Sequence, residues 1–456
     1  MYFYRQNFLV MGVSRSGVAA AEFLLDEKAN VFLFDENTAF SDPVCAPLLE
    51  RGAKWVEKDD LVKTAEDMYA LVLSPGVPID HPVPVAFKKK GKRILGESEL
   101  AALFVKAVTL GVTGTNGKTT TVTMMGEVLK EWGKKYLLCG NIGTPYLSAR
   151  SLSEEDFAVA EISSFQMETL SSFYPHIACV LNVTEDHLNR HYTMENYIFL
   201  KRKILKNLTE SEYAVLNADD PVVAAFAEHT KANAVFFSLE REVDGAYLSG
   251  TELCYRGEKV MDIEELFVTG KHNVLNALAV IAMARILNIP ADVIRNGLKK
   301  FKGVSHRIEQ VDTVRGVTYI NDSKATNADA TIKAIESGKQ ETILLLGGKD
   351  KGYEYAPLFE KIKRSYVVHT VLYGENRFKL LSAALSSGFE KVTLCEKFDY
   401  AFLLASLMAK EGQSVLLSPA SASFDEFSSF EERGDAFRQK VKELKKEAES
   451  AVTVQA

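Results

Sequence analysis

Short apolar runs alternate with amphipathic stretches along the chain, and this pattern predicts parallel βαβ units. The first run, Asn7–Val13, is followed by an amphipathic helix at Gly17–Leu25 and a second strand at Val31–Phe34. A further strand, Tyr69–Leu73, leads into a sharp turn. The same alternation recurs twice downstream, so we predict an α/β protein with three domains.

The predicted boundaries give a Rossmann-like first domain (1–97), a central domain with a mostly parallel sheet (98–302) and a Rossmann-like third domain (303–456). The central domain contains a long apolar helical stretch, Val274–Ile289, which we expect to be buried. Its predicted strands are Ala107–Thr113, Phe157–Ala160, Ile177–Val183, Tyr213–Leu216 and Ala234–Ser238. Those of the third domain are Val317–Ile320, Thr342–Leu346, Val367–Tyr373, Val392–Leu394 and Ser414–Leu417, before a charged helical tail, Arg438–Ser450.

The composition indicates in which cellular compartment the protein works and which classes of partner it does not bind. Of 456 residues, 47% are hydrophobic and 25% charged, which is typical of a globular protein, and the net charge is −7. A mildly acidic chain is not built to attract nucleic acid or anionic lipid. The five cysteines are widely spaced and form no CxxC pair, which favours a reducing compartment. We therefore expect a cytoplasmic protein that inserts into no membrane and binds no nucleic acid.

The strongest chemical signal is a glycine-rich loop between the strand that ends at Thr113 and a helix predicted at Val122–Trp132. Glycines let backbone N–H groups surround phosphate oxygens, and the helix N-terminus favours an anion. Val112 stands where the general phosphate-loop pattern has glycine. The strand–loop–helix context still predicts binding of a nucleoside triphosphate by Gly114, Thr115, Asn116, Gly117, Lys118, Thr119 and Thr120.

Two polar segments follow other strands of the same predicted sheet. Glu161 ends one strand, and a carboxylate there is suited to hold Mg²⁺ opposite a phosphate loop. His187 follows another strand in the run Asn182–His187. A lone histidine is more often structural, but at this edge of the sheet we favour a role in the site.

Taken together, these motifs resemble those of the Mur ligase family. They follow the family's order over most of the second and third domains. The motifs are TGTNGKTT at Thr113–Thr120, GNIG at Gly140–Gly143, EISSFQ at Glu161–Gln166, NVTEDHL at Asn182–Leu188, GKHNVLNALA at Gly270–Ala279, HRIE at His306–Glu309 and NDSKATN at Asn321–Asn327.

The resemblance implies an ATP-dependent ligase with two Mg²⁺ sites. Lys118 and Thr119 would bind the triphosphate and its Mg²⁺, Glu161 would hold that ion, and His187 a second one. In the family a carbamylated lysine follows in a Tyr-x-x-x-Lys context, which fits Lys201. The nucleotide contacts implied outside the loop are Asn276, Arg307 and Asp322, and the catalytic residues are Lys118, His187, Lys201 and Arg307.

The first domain resembles a dinucleotide-binding unit, since Gly12–Gly17 is followed by Asp35 about twenty residues later. Ser14 replaces the glycine that lets a pyrophosphate approach the backbone, which weakens the case for NAD. The resemblance implies instead that this domain holds the UDP of a UDP-sugar peptide. The implied UDP-substrate residues are Ser14, Arg15, Ser16, Gly17, Asp35, Ser74, Pro75, Gly76, Asn141 and Ser163.

The run Leu417–Phe427, continued to Gly434, resembles the D-glutamate-adding branch of the family. The implied substrates are UDP-N-acetylmuramoyl-L-alanine and D-glutamate, in peptidoglycan precursor synthesis, with a monomeric enzyme. Residues implied for D-glutamate are Thr326, Lys351, Ser423 and Phe430. Alternatives are another amino-acid-adding Mur ligase, a folylpolyglutamate synthetase-like ligase, a nicotinamide-dependent dehydrogenase and a non-catalytic nucleotide-binding module.

Overall fold

The structure, a computed structural model, describes residues 2–268, 270–350 and 352–455. The chain divides into two compact units, Met1–Phe301 and Lys302–Ala456. The first unit contains two separate sheets and the second contains one. The α/β class and mostly parallel sheets are confirmed, and the three domain boundaries remain predictions.

The first sheet has five parallel strands in the order β3-β2-β1-β4-β5. Reversal of the strand order on either side of β1 leaves a crevice at the carboxyl ends of β1 and β4. The strands are β1 (Asn7–Met11), β2 (Asn30–Phe34), β3 (Lys54–Trp55), β4 (Ala70–Leu73) and β5 (Arg93–Leu95). The helices are α1 (Arg15–Asp26), α2 (Ala46–Glu50), α3 (Leu61–Thr64), α4 (Pro82–Lys89) and α5 (Glu97–Ala102).

The second sheet has nine strands in the order β14-β13-β12-β11-β10-β9-β6-β8-β7. Its strands are β6 (Val108–Thr113), β7 (Tyr136–Gly140), β8 (Phe157–Glu161), β9 (Ile177–Val180), β10 (Tyr213–Asn217), β11 (Asn233–Ser238), β12 (Gly245–Ser249), β13 (Glu252–Tyr255) and β14 (Glu258–Asp262). Its helices are α6 (Lys118–Glu131), α7 (Ser164–Thr169), α8 (Leu188–His191), α9 (Met194–Arg202), α10 (Pro221–Ala224), α11 (Lys271–Ile286) and α12 (Ala291–Lys300).

The third sheet has six strands in the order β15-β16-β20-β17-β18-β19, and only its edge pair β15–β16 is antiparallel among the described pairings. The strands are β15 (Glu309–Val314), β16 (Val317–Asn321), β17 (Thr342–Gly347), β18 (Val367–Tyr373), β19 (Val392–Leu394) and β20 (Ser414–Leu417). The helices are α13 (Ala328–Ser337), α14 (Ala356–Ile362), α15 (Arg377–Ser386), α16 (Phe398–Met408) and α17 (Phe430–Gln455).

One apolar cluster joins the first two sheets. It runs from Phe8 and Phe23 beside the first sheet through Leu100 of α5 to Leu147 and Ile204 beside the second. Burial of this shared surface stabilises the two sheets together. This shared core explains why they form one compact unit.

Several predicted element boundaries were wrong. Helix α6 begins at Lys118, four residues before the predicted start, because the left-handed backbone of Gly117 turns directly into the first helical turn. Strand β9 ends at Val180 rather than Val183, where the chain leaves the sheet to pack on the phosphate loop.

Strands β3, β5, β7 and β12–β15 were not predicted. Most of them are short and of mixed sequence, without a clear apolar run. Helix α11 is buried along most of its length, as expected from the apolar stretch that it contains. None of the described helices is both long and apolar enough to cross a lipid bilayer.

Candidate active site

The phosphate loop connects β6 to α6 in the middle of the second sheet. Gly114 and Gly117 have φ angles of 148° and 87°, a region that favours glycine. A Cβ at Gly117 would lie 2.4 Å from Asn276 Oδ1, so that side chain packs directly against the loop. Thr119 and Thr120 lie in the first turn of α6. The loop thus presents backbone N–H groups and a helix N-terminus together, as an anion site requires.

Contacts within the loop and with its neighbours fix its shape. Lys118 Nζ donates to the carbonyl oxygens of Gly114 (2.8 Å) and Thr115 (2.7 Å). Asn116 N donates to Asn182 Oδ1 (2.8 Å), whose amide donates back to Asn116 O (3.1 Å). Sequence reasoning assigned no role to Asn182, although its place directly after a buried strand was a usable signal.

Glu161 lies buried at the end of β8, opposite the loop. Thr119 Oγ1 donates to Glu161 Oε2 (2.8 Å), and Asn141 Nδ2 donates to Oε1 (2.7 Å). Asn141, predicted as a UDP-substrate residue, therefore also orients this carboxylate.

Hydroxyl and carboxylate oxygens are the ligands that Mg²⁺ prefers, so the Thr119–Glu161 pair fits that ion. Among the described residues, no group of three or more His, Cys, Asp or Glu side chains is placed to hold a metal.

Lys201 on α9 is buried and points back to the same loop. Its Nζ donates to Gly114 O (2.7 Å) and lies 3.4 Å from Thr113 Oγ1. Burial, with the nearby charge of Lys118, lowers the pKa of Lys201 to about 6. Since the amine is then largely neutral at neutral pH, it has the nucleophilic form that carbamylation by CO₂ requires.

His187 directly precedes α8 and has a positive φ of 54°. Its ring lies 4.8 Å from that of Phe165, and its Nε2 is 3.5 Å from Asp186 Oδ2. Burial lowers its pKa, so the neutral ring that binds metals is favoured. The structure thus places His187 at the same edge of the second sheet as the phosphate loop.

His191, on α8, has a buried ring that contacts both α7 and α9. Its Nε2 is 2.9 Å from Ser164 Oγ, and its ring stacks on Tyr197. The Tyr197 hydroxyl lies 3.1 Å from Thr115 Oγ1. The histidine segment is therefore connected to the phosphate loop through α9. Burial lowers the pKa of His191 to about 4, so it stays neutral.

The predicted UDP-substrate residues of the first sheet gather at the carboxyl ends of β1 and β4. Asp35 accepts hydrogen bonds from the backbone N–H groups of Val13 (2.8 Å), Asn37 (2.8 Å) and Thr38 (2.9 Å). Ser74 Oγ donates to Gly12 O (2.7 Å). Asp35 and Ser74 therefore hold the segment between β1 and the first turn of α1, in which Ser14 and Arg15 are exposed and Ser16 is half-buried.

The backbone of Gly12 approaches Gly17, in the first turn of α1, so closely that only glycine fits there. A Cβ at Gly17 would lie 1.8 Å from Gly12 O, so no side chain fits there. In the turn after β4, Pro75 is half-buried and Gly76 is exposed. Arg15 Nη1 donates to Gly143 O (2.5 Å), which belongs to the turn that carries Asn141. Predicted substrate residues from both sheets thus meet.

Ser163 caps the N-terminus of α7, two residues after Glu161. Its Oγ accepts from Gln166 N (3.3 Å), and Gln166 Oε1 accepts from Ser163 N (2.9 Å), which forms a capping box. The local sequence SSFQ encodes this turn.

In the second compact unit, Asp322 follows β16 and is buried. It accepts from Ser418 Oγ (2.6 Å) and Ile308 N (3.1 Å). Burial raises the pKa of Asp322 to about 7, partly offset by those hydrogen bonds and by the charge of Arg307. Arg307 itself is exposed, between two residues with positive φ, His306 and Ile308.

A fully buried arginine, Arg433, connects three loops of the third sheet and was not singled out from the sequence. Its guanidinium donates to Ser323 Oγ (3.0 Å) and O (2.9 Å) after β16 and to Ser421 O (3.0 Å) and Ala422 O (3.2 Å) after β20. Gly347 O at the end of β17 lies 3.5 Å away.

Three predicted D-glutamate residues lie on or beside these loops. Ser423 is buried, and its carbonyl accepts from Phe427 N (2.9 Å), which shapes the turn after β20. Phe430 O accepts from Ser323 Oγ (2.8 Å). Thr326 lies after β16, where its N–H donates to Lys324 O (2.9 Å). Lys351 lies outside the described residues.

Comparison with known proteins agrees with this architecture. Residues 112–284 match the Mur ligase middle domain, and residues 306–421 match the Mur ligase, glutamate ligase domain. The chain is 42% identical over 455 residues to the UDP-N-acetylmuramoylalanine--D-glutamate ligase of Thermoanaerobacter sp. (strain X514), covering 97% of this chain and 99% of that one. It is 40% identical to the enzyme of that name from Koribacter versatilis, covering 96% and 98%.

Solved structures support the fold. The UDP-N-acetylmuramate-alanine ligase of Thermotoga maritima matches with a TM-score of 0.58 at 19% identity, over 96% of this chain and 99% of that one. A UDP-N-acetylmuramoylalanyl-D-glutamyl-2,6-diaminopimelate--D-alanyl-D-alanyl ligase from Acinetobacter baumannii matches with a TM-score of 0.59 at 17% identity, over 96% and 93%. At this identity the likeness concerns the fold alone.

Proposed function

This chain belongs to the Mur ligase family, and we propose that it joins D-glutamate to the L-alanyl carboxylate of UDP-N-acetylmuramoyl-L-alanine in an ATP-dependent, ADP-forming reaction. The observation that carries the chemistry is the phosphate loop with the Thr119–Glu161 pair beside it. The choice of substrates follows the names of the relatives, which cover nearly the whole chain. The product would serve peptidoglycan precursor synthesis.

In the first step, a carboxylate oxygen of the UDP-substrate attacks the γ-phosphorus of ATP, which gives an acyl phosphate and ADP. Two anions must approach each other, so cations at the site lower the barrier. Lys118 is positioned by the loop to exchange its carbonyl contacts for phosphate oxygens. Asn276, Arg307 and Asp322 are proposed to contact the nucleotide as well.

Thr119 and Glu161 would hold one Mg²⁺, and His187 with a carbamate on Lys201 would hold a second. When bound, Mg²⁺ supplies positive charge to the phosphate oxygens and orients the transferring group. The role of Lys201 depends on its neutral amine, which burial favours. Thr119 and Glu161 already meet at hydrogen-bond distance, so one oxygen pair is in place before any ion binds.

In the second step, the D-glutamate amine attacks the acyl carbon, and the tetrahedral intermediate releases phosphate as the amide forms. We place D-glutamate beside the loops that Arg433 connects, near Thr326, Ser423 and Phe430, with Lys351 as the cation for a substrate carboxylate. We place the UDP moiety at the carboxyl ends of β1 and β4.

The direct test is ADP release by the purified chain. We expect release to require both UDP-N-acetylmuramoyl-L-alanine and D-glutamate, and other amino acids in a panel to give little. Equal release with a different amino acid would point to another Mur ligase, and nucleotide binding without turnover would point to a non-catalytic module. Cytoplasmic location and a monomeric state remain predictions from the sequence.

A further inference from the structure

Arg190, on the one-turn helix α8, contacts both helix α7 and the turn after β4. Its guanidinium pairs in bidentate fashion with Glu168, at 2.9 Å from Nε to Oε1 and 2.7 Å from Nη2 to Oε2. Nη2 also donates to Val77 O at 2.7 Å, and Nη1 lies 3.5 Å from Gly76 O. The two side chains are only 12% and 8% exposed.

These contacts bridge two parts of the proposed site. Gly76 and Val77 belong to the turn after β4, where we place the UDP moiety. Glu168 belongs to α7, which begins just after Glu161 and Ser163. The guanidinium also lies 5.3 Å from the centre of the Phe165 ring, and that ring packs against His187.

Helix α8 cannot hold this position through its own hydrogen bonds. A single helical turn is unstable in isolation. It is flanked by two residues with positive φ, His187 (54°) and Tyr192 (68°), which are unfavourable for side chains of this size. Contacts with the surrounding structure must therefore fix the segment, and Arg190 supplies a bidentate ion pair and a backbone contact among them.

We infer that Arg190 is a positioning residue that fixes the turn at Gly76 and Val77 relative to the His187 segment. Resting on the proposed function, this contact sets how closely the substrate carboxylate, carried by the first sheet, approaches the phosphate loop. Arginine suits this task because its planar fork satisfies a carboxylate and still leaves N–H groups for carbonyl oxygens. A lysine at this position keeps the charge but loses that geometry.

Arg150 offers a matched control. Its Nη2 donates to Asp26 Oδ2 (2.7 Å). Arg150 therefore also joins the second sheet's neighbourhood to the first, because it links the short 3-10 helix Tyr146–Ser151 to α1. This pair is more exposed, at 39% and 48%, and lies at the C-terminal end of α1, away from the loop that opens the helix. Loss of this contact weakens the packing between sheets without touching the turn after β4.

The test compares R190K with R150K in ADP release with both substrates. We expect R190K to lower kcat about tenfold while the KM for ATP stays within about twofold, because misalignment acts on the chemical step and ATP binds to the second sheet's elements. R150K should keep kcat within about twofold. E168Q should lower kcat too, and the losses of R190K and E168Q should be less than additive in the double variant, since the two changes share the Arg190–Glu168 ion pair. The two losses should not overlap completely, because Glu168 Oε1 also lies 3.5 Å from His191 Nδ1.

A normal kcat for R190K, or an equal loss in R150K at a similar drop in melting temperature, would overturn the inference and leave the proposed function intact. Should R190K fail to fold, E168Q decides alone, and a normal kcat for that variant would also overturn it. Absence of ADP release from the wild-type chain would instead overturn the proposed function and this inference with it.

Discussion

The phosphate loop and the loops around Arg433, which we propose to bind the nucleotide and D-glutamate, are held together in different ways. The first is made largely from consecutive residues, Gly114 to Thr119, which present backbone groups and one helix N-terminus. The second depends on a single buried cation that connects loops more than one hundred residues apart, as in Arg433 and Ser323. A site made from consecutive residues can be predicted from the sequence. A site that one side chain holds together through contacts with residues far away in the sequence cannot.

The same contrast extends to buried charge. In the first region burial disfavours a cation, and the pKa of Lys201 falls to about 6. In the second region burial disfavours an anion, and the pKa of Asp322 rises to about 7. Desolvation acts against the charged form in both cases, so the two regions should respond to pH in opposite directions.

The largest effect should come from Lys118→Ala. The neutral side chain no longer offsets the charge that gathers at the γ-phosphate, so we expect ADP release to fall by about 10³-fold or more. Binding of the UDP-substrate, which we place on the first sheet, should be nearly unchanged by calorimetry. Persistent ADP release would remove the phosphate loop from the mechanism.

Arg433→Met tests whether one cation holds the second region together. The change leaves buried carbonyl oxygens without donors, and we expect it to lower the free energy of unfolding by about 3 kcal/mol. The control is Arg438→Met on the same helix, where the ion pair with Glu309 is partly exposed and the expected loss is below about 1 kcal/mol. Urea unfolding measures both, and equal losses would show that Arg433 has no special structural role.

The pH dependence of stability should reveal Asp322. Because its folded pKa is raised from 3.8 to about 7, the native state binds more protons than the unfolded state between these values. The contribution of Asp322 to the free energy of unfolding is therefore complete at low pH and is lost as the pH rises toward 7. The free energy falls by at most about 1.4 kcal/mol per pH unit in this range. Asp322→Asn should lack this decline, and parallel curves for both proteins would contradict the assignment.

Lys201 should change the free energy of unfolding with pH in the opposite direction to Asp322. Its folded pKa is lowered from 10.5 to about 6, so the unfolded state binds more protons across that window. The free energy of unfolding of the wild-type chain should therefore rise with pH relative to Lys201→Met, again by at most about 1.4 kcal/mol per pH unit. A difference that is flat above pH 6, measured by urea unfolding without added bicarbonate, would contradict it.

Sequence reasoning was sufficient to predict the α/β class, most strands and the position of the glycine-rich loop between β6 and α6, since apolar runs and glycine positions are local signals. It placed the start of α6 too late, because threonines in its first turn hide the helical pattern. It missed β3, β5, β7 and β12–β15, among which β12–β14 are stabilised by antiparallel pairing rather than by long apolar runs. Arg433 and Arg190 escaped notice because their importance lies in contacts with residues far away in the sequence.

The central claim is that the phosphate loop delivers the γ-phosphoryl group to the substrate carboxylate. The most direct measurement uses UDP-N-acetylmuramoyl-L-alanine with heavy oxygen in both carboxylate positions, followed by mass spectrometry of the phosphate released with ATP and D-glutamate. An acyl phosphate predicts that each phosphate carries one heavy oxygen, because the bridging atom leaves with phosphorus when the amine attacks. Phosphate that carries only ordinary oxygen would contradict the account.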